Sequence, residues 1–341
     1  AGNLEKLKIA IKYGADAVYG GVSHFSLRIR ASKEFTYETF KEAIDYAHER
    51  GKKVYATING FPFNSQIELL KTHIKKMAEL KPDAFIVAAP GVVRLCREIA
   101  PEIDIHLSTQ ANVLNYLDAQ VFWDMGVKRI VVAREISLKD VMEIKKHLPD
   151  MEIEIFVHGS MCFAYSGRCL ISAVQMGRVP NRGSCANDCR FEYTLYAGND
   201  EHGSLFRLEE EPGVGTYIFN SKDMNLASHI QEILDSGAVD SLKIEGRTKS
   251  PYYAAVTAKA YREAIDDYYA GKFEPEKYQK ELHTTKNRGF TDAYLIHKPF
   301  EKTDSQNHDY ALSKGSYEVT GLVTEDEHHF LCKYKVYPNE D

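Results

Sequence analysis

Short runs rich in β-branched and aromatic residues alternate along the chain with segments whose apolar residues recur at helical spacing. The runs are 16–21 (DAVYGG), 53–59 (KVYATIN), 84–90 (AFIVAAP), 103–109 (IDIHLST), 129–135 (RIVVARE), 152–159 (EIEIFVHG) and 241–246 (SLKIEG). Between them, 37–50, 67–80, 138–147 and 227–236 read as amphipathic helices, several of them ending near Gly. This alternation predicts a parallel sheet with covering helices. Seven strands are visible, and the chain opens directly on the helical LEKLKIAIKYG, where Asn3 can serve as N-cap. One further strand upstream gives eight, so the predicted fold class is α/β: a (β/α)8 TIM-like barrel lacking its first strand in this chain. Such a barrel carries its active site in the loops after the C-terminal ends of the strands. An open doubly wound sheet is the alternative, but no Gly-rich phosphate loop follows an early strand.

Two regions break the rhythm. Residues 160–215 form an insertion between barrel strands, with a hairpin expected from FEYTLY (191–196) and TYIFNS (216–221). After a long helix at 252–270, residues 301–341 carry the alternation of a β-domain that begins and is cut short, leaving 1–300 as the barrel domain. Long insertions at the C-terminal end of a barrel strand usually serve function.

Composition narrows the setting. No apolar run of about eighteen residues occurs and no basic, apolar leader opens the chain, so the expectation is a cytoplasmic protein without a membrane partner. A net charge of -6 argues against a surface coated for non-specific nucleic-acid binding. Structured RNA read by shape and loops remains open, because Arg168, Arg178, Arg182 and Arg190 cluster in the insertion.

Of the six cysteines, four fall in that insertion with spacing C-x6-C-x15-C-x3-C: Cys162, Cys169, Cys185 and Cys189. In a thiol-reducing compartment such a group reads as a metal site rather than a disulfide framework. Four thiolates suit tetrahedral zinc or an iron-sulfur cubane. No C-x2-C pair of the zinc-ribbon kind is present, which favours iron-sulfur. Cys96 and Cys332 lie in apolar periodic settings and read as packing residues.

The stretch EIFVHGSMCFAYSGRCLIS (154–172) resembles the signature of the collagenase-like peptidase family U-32, and GADAVYGG, SLRIRA, HLSTQAN, AREIS, NSKDM, SLKIEGRTKS and NRGFT follow in that family's order. Within the family, the likeness is to the branch acting on tRNA. The resemblance implies oxygen-independent hydroxylation of the wobble uridine of tRNA to 5-hydroxyuridine, with prephenate as hydroxyl source. It also implies a 4Fe-4S cluster on Cys162, Cys169, Cys185 and Cys189. Members of the family begin with a further strand and finish with a longer β-barrel domain.

Prephenate carries two carboxylates, so its pocket should present guanidinium or ammonium groups at strand C-terminal ends. The substrate-binding candidates are Arg28, Arg30, Arg134 and Arg247, with Asn59 and Gln110 as neutral donors and acceptors for a uracil edge. The catalytic candidates are His158, Lys243 and Glu245, the last two on one face of SLKIEG by the period of two. A plainer reading has Lys243 and Glu245 bridging one another, and Arg134 and Glu135 capping the barrel. His106, a lone strand histidine, reads as core. Tyr19, Tyr55 and Tyr165 are candidates for stacking an extruded base, though 21 tyrosines make chance placement common.

Two other functions compete. A collagenase-like peptidase would use Cys162 with His158, yet neither H-E-x-x-H nor G-x-S-x-G appears. An RNA-binding scaffold without catalysis is the third reading.

Overall fold

The computed structural model describes residues 1–22, 25–26, 35–162, 164–178, 180, 185–191, 193, 196–199, 204–207, 221–246, 248–296, 315, 321–323 and 330–332. Its first half runs α1 (Leu4–Lys12), β1 (Ala17–Gly20), α2 (Tyr37–His48), β2 (Lys53–Ile58), α3 (Ile67–Glu79), β3 (Ala84–Val87), α4 (Pro90–Ile99), β4 (Asp104–Leu107), α5 (Tyr116–Asp124), β5 (Arg129–Val131), α6 (Leu138–His147) and β6 (Glu152–Ser160). There follow α7 (Ile171–Met176), β7 (Tyr196–Asn199), β8 (Ser204–Arg207), β9 (Asp223–Asn225), α8 (Ile230–Asp235), β10 (Ser241–Ile244), α9 (Pro251–Tyr269), α10 (Pro275–Leu282), β11 (Phe290–Thr291), β12 (Gly321–Val323) and β13 (Phe330–Cys332).

Local chemistry sets the helix starts. The Asn3 side chain accepts from the Lys6 N–H at 2.9 Å and opens α1, which buries Leu7 and Ile11. Ser137 does the same for α6, whose last turn gathers Lys145, Lys146 and His147 against the carbonyl end of the helix dipole.

Strands β1 to β6 pair in parallel in chain order, and β10 pairs in parallel with β6 from Glu154 to His158. All seven strands expected from the pattern are therefore present. Burial divides into two apolar groups, as a barrel wall requires. A large one lies between strands and helices, and a small one of Tyr55, Ala84 and Ile86, with Ala17 and Tyr19 against it, lies on the other face of the strands. The circuit stands open between β10 and β1, where a cleft of about 590 Å³ is lined by both strands, α1 and α9. The Ala1 amine donates to the Tyr19 carbonyl at 2.6 Å on that edge of β1.

Beyond its midpoint β6 changes partner. Its tail pairs antiparallel with β9 (His158 with Asn225, Ser160 with Asp223), and β11 continues in parallel from β9. The expected hairpin of 191–196 with 216–221 falls largely outside the described residues; among those described, Tyr196–Asn199 pairs with Ser204–Arg207. Residues 208–220 lie outside the described residues, as does most of the stretch after 296, where β12 and β13 form an antiparallel pair.

His106 and His158 are both buried, and burial pushes each down to about 3, with the Arg129 charge adding to the effect on His106. The unfolded chain takes up these protons first, so the stability the two neutral rings confer is complete above about pH 6.5 and is lost as pH falls towards 3. Chemical denaturation at pH 7.5 and 5.5 should differ by about 2–3 kcal/mol for the pair. His158→Phe should remove roughly half of that difference; an unchanged pH dependence in this variant would contradict the assignment.

Candidate active site

The strands end in a cavity of about 180 Å³ at the mouth of the sheet. Tyr19, Asn59, Gln110, Arg134, Phe156, Lys243 and Glu245 line it from the strand side, and Cys162, Cys169, Cys185 and Cys189 line it from the insertion. Four cysteines spread over 28 positions thus face one space together with five of the residues singled out as catalytic or substrate-binding.

Cys162 follows β6 by two residues, so the strand itself delivers the first thiol. A tight turn, Tyr165–Gly167, then returns the chain towards Cys169. Ser166 at its centre has φ 30° and ψ 50°, a strained left-handed geometry for a residue with a side chain. Glu135 holds it there: one carboxylate oxygen accepts from the Ser166 N–H at 2.9 Å and the other from its hydroxyl. The short helix α7 spans the gap to the second pair of cysteines, and Ser172 on it accepts from the Ala186 N–H at 3.1 Å. Glu135→Ala should release the Ser166 turn, loosening it by roughly 2 kcal/mol and speeding amide hydrogen exchange there about 30-fold. Exchange at the wild-type rate would remove Glu135 from this role.

The sulfurs themselves accept backbone N–H groups. Asn187, in a left-handed conformation, donates to the Cys185 sulfur at 3.4 Å, and the Ala164 N–H donates to Cys162. Such bonds favour a thiolate. The Cys162 thiol is nonetheless raised by burial, and further by the neighbouring Cys169 and Cys185, with Ala164 and Arg134 opposing. A cation beside the sulfurs would oppose that rise at Cys162. Among the described residues no three His, Cys, Asp or Glu side chains close on a single point as a mononuclear metal shell does. A cubane binds each thiolate at a different iron, so four cysteines lining one shared cavity, with backbone N–H groups reaching the sulfurs of Cys162 and Cys185, have the donor chemistry for that larger occupant.

Beneath the cavity lies a charged floor. Glu154 is buried, yet it accepts from Lys243, from Arg129 at 3.1 Å and from the Ser241 hydroxyl at 2.9 Å. Burial alone would raise its carboxyl, but Lys243 and Arg129 outweigh that and hold it at about 2. Arg129 also binds Glu152 at 2.7 Å. Lys243 and Glu245 do share a face, but neither bridges the other. Lys243 pairs with Glu154, and Glu245 pairs with Arg134, whose guanidinium stacks 3.7 Å from the Phe156 ring centroid. Glu135, expected beside Arg134, instead clamps Ser166.

His158 is placed away from the cavity. The β6–β10 register slips between Phe156 and His158, so β6 carries one extra residue there and the alternation of faces shifts. The ring packs among Tyr253, Tyr261 and Phe290, with the Tyr261 hydroxyl 3.4 Å from Nδ1. Gly159 makes the adjoining step possible: at φ 127° it approaches Glu245 so closely that a Cβ would meet the Glu245 carbonyl oxygen at 2.7 Å. Arg28, Arg30 and Arg247 lie outside the described residues. Tyr19 borders the cavity with the Lys243 ammonium 4.2 Å from its ring centroid, Tyr55 lies deeper against His106, and Tyr165 is exposed on the insertion beside Arg168. Cys96 is buried in α4, its thiol pushed up to about 12 by burial, as a packing residue should be.

Sequence periodicity did not single out Ser166, Ser172, Asp188 or Glu154, and Glu135 entered only as a cap for Arg134. The buried, strand-borne carboxylate of Glu154 alone carried a signal, since a charge on the inner face of EIEIFVHG needs a partner.

The sequence model of peptidase family U32 matches residues 2–305. The chain is 68% identical over 339 residues to the tRNA hydroxylation protein P of Helicobacter pylori strain 26695, covering 99% of this chain and 80% of that protein. It is 41% identical over 350 residues to the tRNA hydroxylation protein P of Escherichia coli K12, covering 92% and 76%. A collagenase of Porphyromonas gingivalis W83 is 31% identical over 308 residues, covering 86% and 72%.

Proposed function

The chain belongs to peptidase family U32, and from that premise we propose that it modifies tRNA, hydroxylating the wobble uridine to 5-hydroxyuridine with prephenate as hydroxyl source. The observation that carries the reading is the single cavity shared by Cys162, Cys169, Cys185 and Cys189 with the neutral amides Asn59 and Gln110. Relatives named for tRNA hydroxylation support it.

Held by the four cysteines, a 4Fe-4S cluster would supply one-electron chemistry beside the bound base. The chain's own residues do the rest. Gln110, 8% exposed with its Oε1 unpartnered among the described residues, accepts from a base edge. Asn59 adds an amide on the same wall. The Arg134–Glu245 pair and the Lys243–Glu154 pair keep the floor polar but neutral, and a dianionic co-substrate draws on the further cations Arg28, Arg30 and Arg247. Tyr19 lines the cavity and is the candidate for stacking a flat base. No helix among the described residues is long and apolar enough to cross a membrane, and a tRNA substrate places the reaction in the cytoplasm.

A thiol peptidase would need Cys162 paired with a base. His158 faces α9 and is neutral down to about pH 3, and the Cys162 thiol is raised rather than lowered. Both features oppose a peptidase reading. The deciding experiment joins anaerobic iron analysis of the purified protein to nucleoside mass spectrometry of tRNA from a deletion strain. Iron in the protein and loss of 5-hydroxyuridine in the strain are expected. A zinc-loaded protein with unchanged tRNA would remove the proposal. Restoration of the nucleoside by a Gln110→Ala, Asn59→Ala protein would instead favour a scaffold without catalysis.

A further inference from the structure

The group in the cavity that the chemistry above leaves unused is the Asp188 carboxylate. It is 1% exposed and lines the cavity, and among the described residues neither of its oxygens has a hydrogen-bond partner. The backbone fixes it firmly. Asn187 before it is left-handed, the Phe191 N–H donates to the Asp188 carbonyl at 3.1 Å, and the Tyr193 hydroxyl approaches the same carbonyl at 2.7 Å. A desolvated carboxylate without a donor is strongly unfavourable, so a position this well defined points to a donor brought by a ligand.

The cavity's own cations do not answer it. Arg134 and Lys243, the cations lining the cavity among the described residues, are engaged by Glu245 and Glu154. The other unpartnered polar atom among the described residues lining this space is Gln110 Oε1, again an acceptor. Among the described residues lining the cavity, the buried side-chain atoms left without a partner are therefore all acceptors, which complement a ligand carrying hydrogen-bond donors. A uridine inside an RNA chain has two: the imide N–H of the base and the ribose 2′-hydroxyl, the 3′ and 5′ oxygens being esterified.

We propose that Asp188 is a substrate-binding residue which, with Gln110, accepts these two donors, so that the cavity selects a ribonucleotide with an imide edge. The inference rests on the RNA reading and extends it: Asp188 makes the site discriminate between nucleosides rather than bind any base that stacks.

The test uses the anaerobically purified protein and three anticodon stem-loop RNAs carrying uridine, N3-methyluridine or 2′-deoxyuridine at the target position, with Kd measured for each. The wild-type protein should bind each altered loop about tenfold more weakly than the uridine loop. In Asp188→Ala one of the two penalties should fall to within about twofold while the other persists. Asp188→Asn, which keeps the volume, should reduce the same penalty. Iron content is read on the same samples. Unchanged penalties in both variants overturn the inference, as does loss of iron from both, which would make Asp188 part of the metal shell. A wild-type protein that binds the loops without discriminating between them removes the inference and leaves the RNA reading standing; one that binds no RNA removes both.

Discussion

Cys162→Ser, purified without oxygen, is expected to come off the column colourless, lacking the absorption at roughly 400 nm and the complement of about four irons that the wild-type chain should hold. A serine hydroxyl does not ionise near neutral pH and cannot replace a thiolate, and Cys162 sits where β6 hands the chain to the insertion, in electrostatic contact with Cys169 and Cys185. Cys96→Ser provides the control, because that thiol is sealed inside α4 with its ionisation suppressed. It should keep its iron. Chelation of the wild-type protein should reproduce the loss of colour and iron expected of Cys162→Ser while the far-ultraviolet circular dichroism stays unchanged, since among the described residues no barrel strand pairs with the insertion. An iron-replete Cys162→Ser protein would end the cluster assignment.

Glu154→Ala should be the most destabilising single change in the strand layer, by about 3–5 kcal/mol. Its carboxylate is the common partner of Lys243, Arg129 and the Ser241 hydroxyl, and removing it strands two buried cations with one remaining carboxylate, Glu152, between them. Replacing Glu154 and Lys243 together by Met should cost clearly less than the single change, because no unpaired ammonium is left behind. The same group sets an acid limit. Its carboxyl is held at about 2 in the folded chain, below the unfolded value of about 4.3. Its contribution is therefore complete above that unfolded value and disappears as pH falls towards 2. Urea denaturation of the three proteins at pH 7 checks the first claim. Equal stabilities for the single and double variants would show that Glu154 is not the keystone of this network.

The seven strands, the Asn3 cap and the four-cysteine group could all be read from the chain because each depends on residues near one another in sequence. The alternation in EIEIFVHG gives β6, and the C-x6-C-x15-C-x3-C spacing marks one cysteine-bearing segment. Lys243 and Glu245 were correctly placed on one face by the period of two. Their partners were not legible, since Glu154 and Arg134 stand 89 and 111 positions away along the chain. His158 shows the limit of periodicity more sharply. A strict period of two turns it to the same side as Glu154 and Phe156, and a single extra residue in β6 turns it to α9.

By itself, then, the sequence determined the elements, their parallel order and the grouping of the four cysteines in one segment, because hydrophobic periodicity, capping and cysteine spacing are short-range properties. Tertiary structure alone decided that the four cysteines and the strand-end amides line one cavity, that its cations are neutralised by carboxylates from distant strands, and that Asp188 is left without a partner there among the described residues. Those outcomes depend on strand register and on a bulge, and both are fixed by pairing between segments far apart in the chain, where no local pattern carries the information.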